Sequence, residues 1–376
     1  MLYTSYSANN TLIQTGKWSA DGDRRCPESF SVITMCNAMM PFGRQLDEIL
    51  AQIRRTVEEQ GTPVFMRFFL SDPANQEALL RGRLDFDCAV SVVGQTPLNG
   101  TKIAAMVWCR DQASVSRAGN RMYRVAEGGV EEYWYAGGLS DLEGSYNQTV
   151  DLMDGLASGL ESHGLTLENN CVRTWLFVQN IDVNYKGVVE GRNDVFDRHG
   201  LTPDTHFIAS TGIEGRVAGH ENKVMLDAVA VSGPGVSVSY LYGGTHLNRT
   251  SQYGVRFERG TVVEYPDRRH VFISGTASID NQGRILYEND IVRQTGRMIE
   301  NVEVLLKEAG CGFDDVAGMT VYLRDPSDYA VVERIFSERF PQHPRVITLA
   351  PVCRPGWLIE MECLAVMGNS FSRFAW

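Results

Sequence analysis

The predicted fold class is α+β: three related units in one chain, each a mixed sheet with helices on one face. Three observations lead there. Val150, Met153, Leu156 and Leu160 follow Gln148-Thr149, and Met298, Val302, Leu305 and Leu306 follow Gln294-Thr295, both at the spacing of an amphipathic helix. The distance to the next strand is the same in both, 26 positions from Gln148 to Thr174 and 26 from Gln294 to Thr320. Strand signals stand next to one another where units meet, which favours α+β over strictly alternating α/β.

Each element of the repeat can be matched in turn. YAGG (135 to 138) answers to ISGT (273 to 276) as the first strand, and Gly164 and Gly310 fall where left-handed helix caps belong. TWLFVQ (174 to 179) answers to TVYLRD (320 to 325), and KVMLDAVAV (223 to 231) to WLIEMECLAV (357 to 366). A weaker third copy has IQTGKW (13 to 18) as its first strand and Leu46, Ile49, Leu50, Ile53 and Val57 on its helix. PVFMRFFL (63 to 70) and KIAAMVWC (102 to 109) are its later strands. The predicted units are 1–120, 121–233 and 234–376. Triplication reads as a covalent homotrimer, a pseudo-trimer for which a monomeric chain suffices.

Composition narrows the function. The 376 residues are 43% hydrophobic and 22% charged, an ordinary globular balance. Thirty-five Lys and Arg against 46 Asp and Glu give a net charge of −11, so no general basic surface serves a nucleic-acid backbone. No run approaches the roughly 18 apolar residues of a membrane span, and the first residues lack signal-peptide features. A soluble, cytoplasmic protein is expected. The eight cysteines show no metal spacing and are expected to be reduced; no metal and no cofactor is predicted. Gly212 and Gly215 do not form a phosphate loop, and no nucleophile elbow occurs.

The repeat also points to a site. Aligning the last strands sets Glu360 opposite Met225 and Ile103, so only the third copy keeps a carboxylate there. Arg345 in HPRVITLAPV falls opposite His206 and Cys88. One competent cleft per chain, between copies two and three, is the expectation.

At these residues the third copy resembles the Rid (YjgF) superfamily of small trimeric proteins, with chorismate-mutase-like units. ISGTASID, TVYLRD and an arginine fifteen positions before the first glutamate of LIEMECLAV carry the likeness. The resemblance implies that Arg345 binds a substrate carboxylate and that Glu360 works in the same pocket. Nearly the whole chain is similar to chorismatases, through TPDTHFIASTGIEGR (202 to 216), THLNRTSQYGVRFERGT (245 to 261) and APVCRPGWLIEMECLAV (350 to 366). That family removes the enolpyruvyl group of chorismate as pyruvate without a cofactor.

The implied chemistry needs a protonated acid beside a carbon base, and Glu360, in an apolar strand, suits it. Glu362 shares its strand face by period two, so one of them requires a polar setting. A dianionic substrate calls for arginines. Arg345, Arg256, Arg259 and Arg324 are the candidates. By resemblance, Tyr253 reaches a neighbouring unit's pocket, and Cys353, seven positions before Glu360, goes with Gly260 in the branch that forms 3-hydroxybenzoate. Ser274 and His206 complete the expected binding set. Hydrolysis to a dihydroxycyclohexadiene carboxylate, formation of 4-hydroxybenzoate, imine deamination and non-catalytic carboxylate sensing are the alternatives.

Overall fold

A computed structural model describes residues 1–20, 27–250 and 254–369. The first unit runs β1 (Leu2–Ala8), β2 (Thr11–Trp18), β3 (Glu28–Met35), α1 (Phe42–Gln60), β4 (Thr62–Leu70), α2 (Pro73–Arg81), β5 (Ala89–Val93), a short β6 (Thr96–Pro97) and β7 (Ile103–Arg110). The second runs β8 (Ser114–Gly119), β9 (Met122–Glu127), β10 (Val130–Gly138), α3 (Ser145–Glu161), α4 (Leu167–Asn170), β11 (Cys171–Val178), α5 (Ile181–Arg198), β12 (Ala209–Glu214) and β13 (Val224–Ser232). The third runs β14 (Ser237–Leu241), β15 (Gly260–Glu264), β16 (Arg268–Ala277), α6 (Ile291–Glu308), β17 (Val316–Leu323), α7 (Tyr329–Arg339), β18 (Arg345–Leu349) and β19 (Ile359–Gly368).

The three sheets share one topology. Their orders are β1-β2-β3-β7-β4-β5, β8-β9-β10-β13-β11-β12 and β14-β15-β16-β19-β17-β18, and β6 of unit one adds to the last. The α+β class and the three-unit reading both hold. By sheet membership, unit two begins at Ser114 and unit three at Ser237.

The repeated Gln-Thr pair has a physical cause. Gln148 donates to the Leu142 and Glu221 carbonyls and accepts from the Lys223 and Val224 amides, tying the start of α3 to the start of β13. Gln294 does the same for α6 and β19, through Tyr287, Gly356 and Leu358, and Gln45 for α1 and β7, through Met40 and Lys102. A buried amide that satisfies backbone groups on two elements fixes how the helix sits on its sheet. Gly164 and Gly310 cap α3 and α6 at φ +74° and +75°. There the Leu165 and Cys311 amides reach back to the Leu160 and Leu306 carbonyls.

Two details of the predicted alignment are corrected. The unit-one strand equivalent to β10 and β16 is β3, not IQTGKW, which is the strand before it. The register also moves: Leu70↔Ile103, Val178↔Val224 and Leu323↔Ile359 are matching pairs, so Glu360 corresponds to Met225 and Ala104, not to Ile103. A one-residue slip exchanges the two faces of a strand, and Ile103 lies on the helix-facing side. Likewise the parallel pairs Met66↔Val90, Thr174↔Ser210 and Met319↔Arg345 make Ser210 and Val90, not His206 and Cys88, the equivalents of Arg345.

The faces away from the helices meet one another. Glu28, Glu132 and His270 occupy equivalent positions of β3, β10 and β16. They converge in one buried cluster, where the His270 Nε2–H donates to Glu28 at 2.7 Å and Arg110 bridges Glu132 (2.6 Å) and Glu28 (3.3 Å). Burial raises the Glu28 pKa, but His270, Arg268 and Arg110 outweigh it and bring the carboxyl down to about 2. Three sheets with equivalent residues in contact make the chain a pseudo-trimer.

Candidate active site

Strand β19 carries the carboxylates. Its central place in the sheet follows from pairing with β16 on one side and β17 on the other, which sets Glu360 between Ala277 and Tyr322. Glu360 and Glu362 share the face turned toward unit two, and both are buried, at 5% and 6% exposure.

Their surroundings differ. Glu362 accepts from Arg173 (2.6 Å), Trp175 Nε1 (2.9 Å) and the Thr211 hydroxyl (2.6 Å), all from β11 and β12 of unit two. No described hydrogen bond reaches the Glu360 carboxyl. Burial first, then the neighbouring Glu362 charge, push it up to about 8, against the opposing pull of Arg173 and Arg259. Glu360 is therefore a neutral acid at pH 7.

Glu360 borders a cleft of about 540 Å³ between units two and three. Unit two contributes Tyr185 and Arg192 from α5 and Ser210, Thr211 and Gly212 from β12; unit three contributes Phe257, Arg259, Gly275, Cys353, Arg354 and Trp357. Space for the carboxyl depends on Gly275. Its Cβ position lies 2.8 Å from the Glu360 carboxyl carbon and 3.0 Å from the Thr211 methyl, so any side chain there displaces the acid.

Three guanidinium groups line this cleft. Arg259 is buried against Phe257 and donates to the Asn248 carbonyl and side-chain oxygen at 3.2 Å. Arg354 lies over Trp357, 4.8 Å from its ring, and Arg192 lies 5.8 Å from the Phe196 ring. The Cys353 thiol is pushed up to about 12, by burial and then by Glu360, and the Tyr185 hydroxyl donates to it. Cys353 at rest is a neutral thiol.

The expected site residues divide. Glu360, Cys353 and Arg259 come together in this cleft. Arg345 does not join them. It donates to Glu333 and the Ser337 hydroxyl at 2.8 Å and to the Phe340 carbonyl at 2.9 Å, in a separate cleft of units three and one with Gln14, Thr34 and Tyr329. The cause is topological. Arg345 sits on β18, which pairs with β6 of unit one, whereas Glu360 faces unit two; its equivalent in the Glu360 cleft is Ser210.

The remaining candidates are structural contacts. Arg256 pairs with Asp197. Arg324 pairs with Asp182 at 2.8 Å and donates to the Val352 carbonyl, bracing the loop that carries Cys353. Ser274 donates to the Glu258 carbonyl and accepts from the Ser210 amide, joining unit three to β12. His206 stacks on Tyr240 in a neighbouring hollow. Gly260 pairs with Ile273 on β15, where a Cβ would meet the Phe272 carbonyl at 2.9 Å, and it does not line the cleft. Tyr253 lies outside the described residues.

Sequence reading missed Arg192, Arg354, Tyr185 and Gly275. Arg192 carried a signal, since it falls on the buried stripe of α5 with Val188, Val195 and Phe196. So did Gly275, which the repeat matches to Gly137.

The fold and the inter-unit cleft define a Rid-like pseudo-trimer with one acid-bearing cleft between units two and three. Residues 260–367 match the Endoribonuclease L-PSP family. A RutC family protein of Pyrococcus abyssi is 37% identical over 97 residues, 25% of this chain and 76% of that protein. One of Pyrococcus horikoshii is 33% identical over 97 residues, 25% and 77% of the two chains. The chain belongs to the RutC family through its third unit. The whole architecture matches that of a chorismatase crystal structure, over 81% of this chain and 93% of the other, at a TM-score of 0.65 and 20% identity, a likeness of fold.

Proposed function

We propose that the cleft converts chorismate to 3-hydroxybenzoate and pyruvate. The observation that carries this reading is a buried carboxyl that stays protonated at pH 7 in a cleft lined by Arg192, Arg259 and Arg354. Chorismate supplies the matching partner, a dianion whose enol ether cleaves once its methylene carbon is protonated. The chorismatase fold supports the same reading.

Glu360 gives its proton to the methylene carbon, and positive charge develops on the ether-bearing carbon of the side chain. The bond from ring C3 to the ether oxygen breaks and pyruvate leaves. The ring 4-hydroxyl oxygen bonds to C3 and yields its proton to the Glu360 carboxylate, so no water is consumed. Reopening of that bridge and loss of a ring proton give the aromatic product. Cys353 stands where it can assist that opening, with Tyr185 donating to its sulfur. If water enters instead and adds to the cationic side-chain carbon, pyruvate and the dihydroxycyclohexadiene carboxylate result.

Imine deamination is a second reading, favoured by the RutC relatives of the third unit. It would draw on Arg345, whose guanidinium is bound to Glu333 and Ser337 away from Glu360. Incubating the protein with chorismate and assaying pyruvate, then resolving the aromatic products by chromatography, tests the first reading. No pyruvate, with ammonia released from a 2-imino acid, replaces it with the second.

A further inference from the structure

Glu362 is the second buried carboxylate on the face of β19 that bears Glu360, and the proposed reaction makes no use of it. Arg173, Trp175 and Thr211 of unit two donate to it, and the Arg67 guanidinium of unit one pairs with it at 3.7 Å. Thr211 also accepts from the Gly275 amide at 2.9 Å, so the clamp touches the segment that leaves room for Glu360. Arg173 is 1% exposed and directed at Glu362, which keeps that guanidinium from forming an ion pair with Glu360.

We propose that Glu362, clamped by Arg173, is the positioning residue that holds the Glu360 carboxyl in its acid form and thereby sets the pH range in which the site can donate a proton. The inference rests on reading Glu360 as the donor. The groups facing Glu360 come from every side. Glu362 lies on its own strand and Arg173 on β11; Arg259 precedes β15; Cys353 and Arg354 come from the loop before β19; Tyr185 and Arg192 come from α5. Arg259 is tied to Asn248. Cys353 and Tyr185 remain neutral. The nearest fixed anion is Glu362, and a like charge in a low-dielectric site opposes ionisation of its neighbour. Removing it both lifts that opposition and releases Arg173 toward Glu360.

The test uses the full chain without substrate. The infrared carbonyl band of protonated Glu360, identified by its loss in Glu360→Gln, is followed against pH in the parent protein and in Glu362→Gln. The Glu362→Gln midpoint is expected to fall by about one unit or more, tenfold in proton affinity, while Glu362→Asp, which keeps the charge, restores it. An unchanged midpoint in folded Glu362→Gln overturns the proposal. Should that variant not fold, the parent protein still decides. A protonated-carboxyl band at pH 7 that persists in Glu360→Gln places the proton on Glu362 and overturns it as well. Neither readout involves chorismate, so a midpoint shift in a protein that releases no pyruvate retains the tuning and removes only the substrate assignment.

Discussion

Gly275 faces Glu360 across the β16–β19 pair so closely that a Cβ on Gly275 would overlap the carboxyl oxygen. The bulge between Ile273 and Thr276 brings the Gly275 backbone to this point, and the Thr211 hydroxyl fixes its amide. Glycine is required here for space rather than for a left-handed backbone angle. Gly275→Ala is expected to lower pyruvate release from chorismate at least 100-fold while far-UV circular dichroism stays unchanged, because the acid moves and the sheet does not. Parent-like turnover would show that the carboxyl does not act from this position.

Glu360, at about 8, gives two pH dependences of defined sign. Turnover requires the protonated acid, so kcat/KM should be flat below about pH 7 and fall roughly tenfold per unit above about pH 8. Stability follows the same group. Between 4.5 and about 8 the folded chain holds a proton that the unfolded chain has released, so stability falls as pH rises through that window. The full interval corresponds to a contribution on the order of 5 kcal/mol. Glu360→Gln should abolish turnover and melt higher than the parent at pH 9, with a smaller difference at pH 5. Equal melting differences at both pH values would show that Glu360 titrates normally.

What could be read from the sequence follows from how local each feature is. The repeat, the helices and their caps are local patterns, and Gln148 and Gln294 recur because the same backbone groups need the same amide. Which cleft a residue faces is not local. Arg345 and Glu360 stand fifteen positions apart on strands of one sheet, yet they turn to different neighbours because β18 lies beside β6 of unit one and β19 lies at the centre of the sheet. Of the arginines that line the cleft, Arg192 is marked by the buried stripe of α5, whereas Arg354 comes from a loop, where spacing along the chain carries little information. The slip of one residue that paired Glu360 with Ile103 came from matching apolar runs, whose register is set only by pairing with the neighbouring strands.

The separation of the two clefts makes the arginines distinguishable. Replacing Arg192, Arg259 or Arg354 by Met should raise KM for chorismate about tenfold or more, since each charge-assisted contact to a carboxylate contributes roughly 1.5 to 3 kcal/mol. Arg345→Met should leave kcat and KM within about twofold and instead lower the melting temperature, because it removes the ion-pair partner of Glu333 and a donor to the Phe340 carbonyl. Steady-state kinetics on the four variants decides. A large KM effect confined to Arg345→Met would return the substrate to the other cleft.

Cys353 is expected to govern product rather than rate. Its thiol is neutral, is held by Tyr185 and borders the same cleft as Glu360. It fills volume in the cleft beside Glu360, and on the proposed reading a smaller side chain admits water to the cationic carbon. Cys353→Ala should therefore keep pyruvate release within about tenfold of the parent, since the acid is untouched. The ring product should move from 3-hydroxybenzoate toward the dihydroxycyclohexadiene carboxylate. Chromatography of the products in ¹⁸O-labelled water reads the change directly. The internal route takes no oxygen from solvent, whereas in the hydrolytic route water adds to the side-chain carbon and the label enters pyruvate at the moment of cleavage. Pyruvate also exchanges its ketone oxygen with water, so the label must be read under single-turnover conditions with rapid reduction to lactate. An unchanged product ratio in folded Cys353→Ala would assign the cysteine to packing alone and leave the choice of branch to the shape of the remaining cleft.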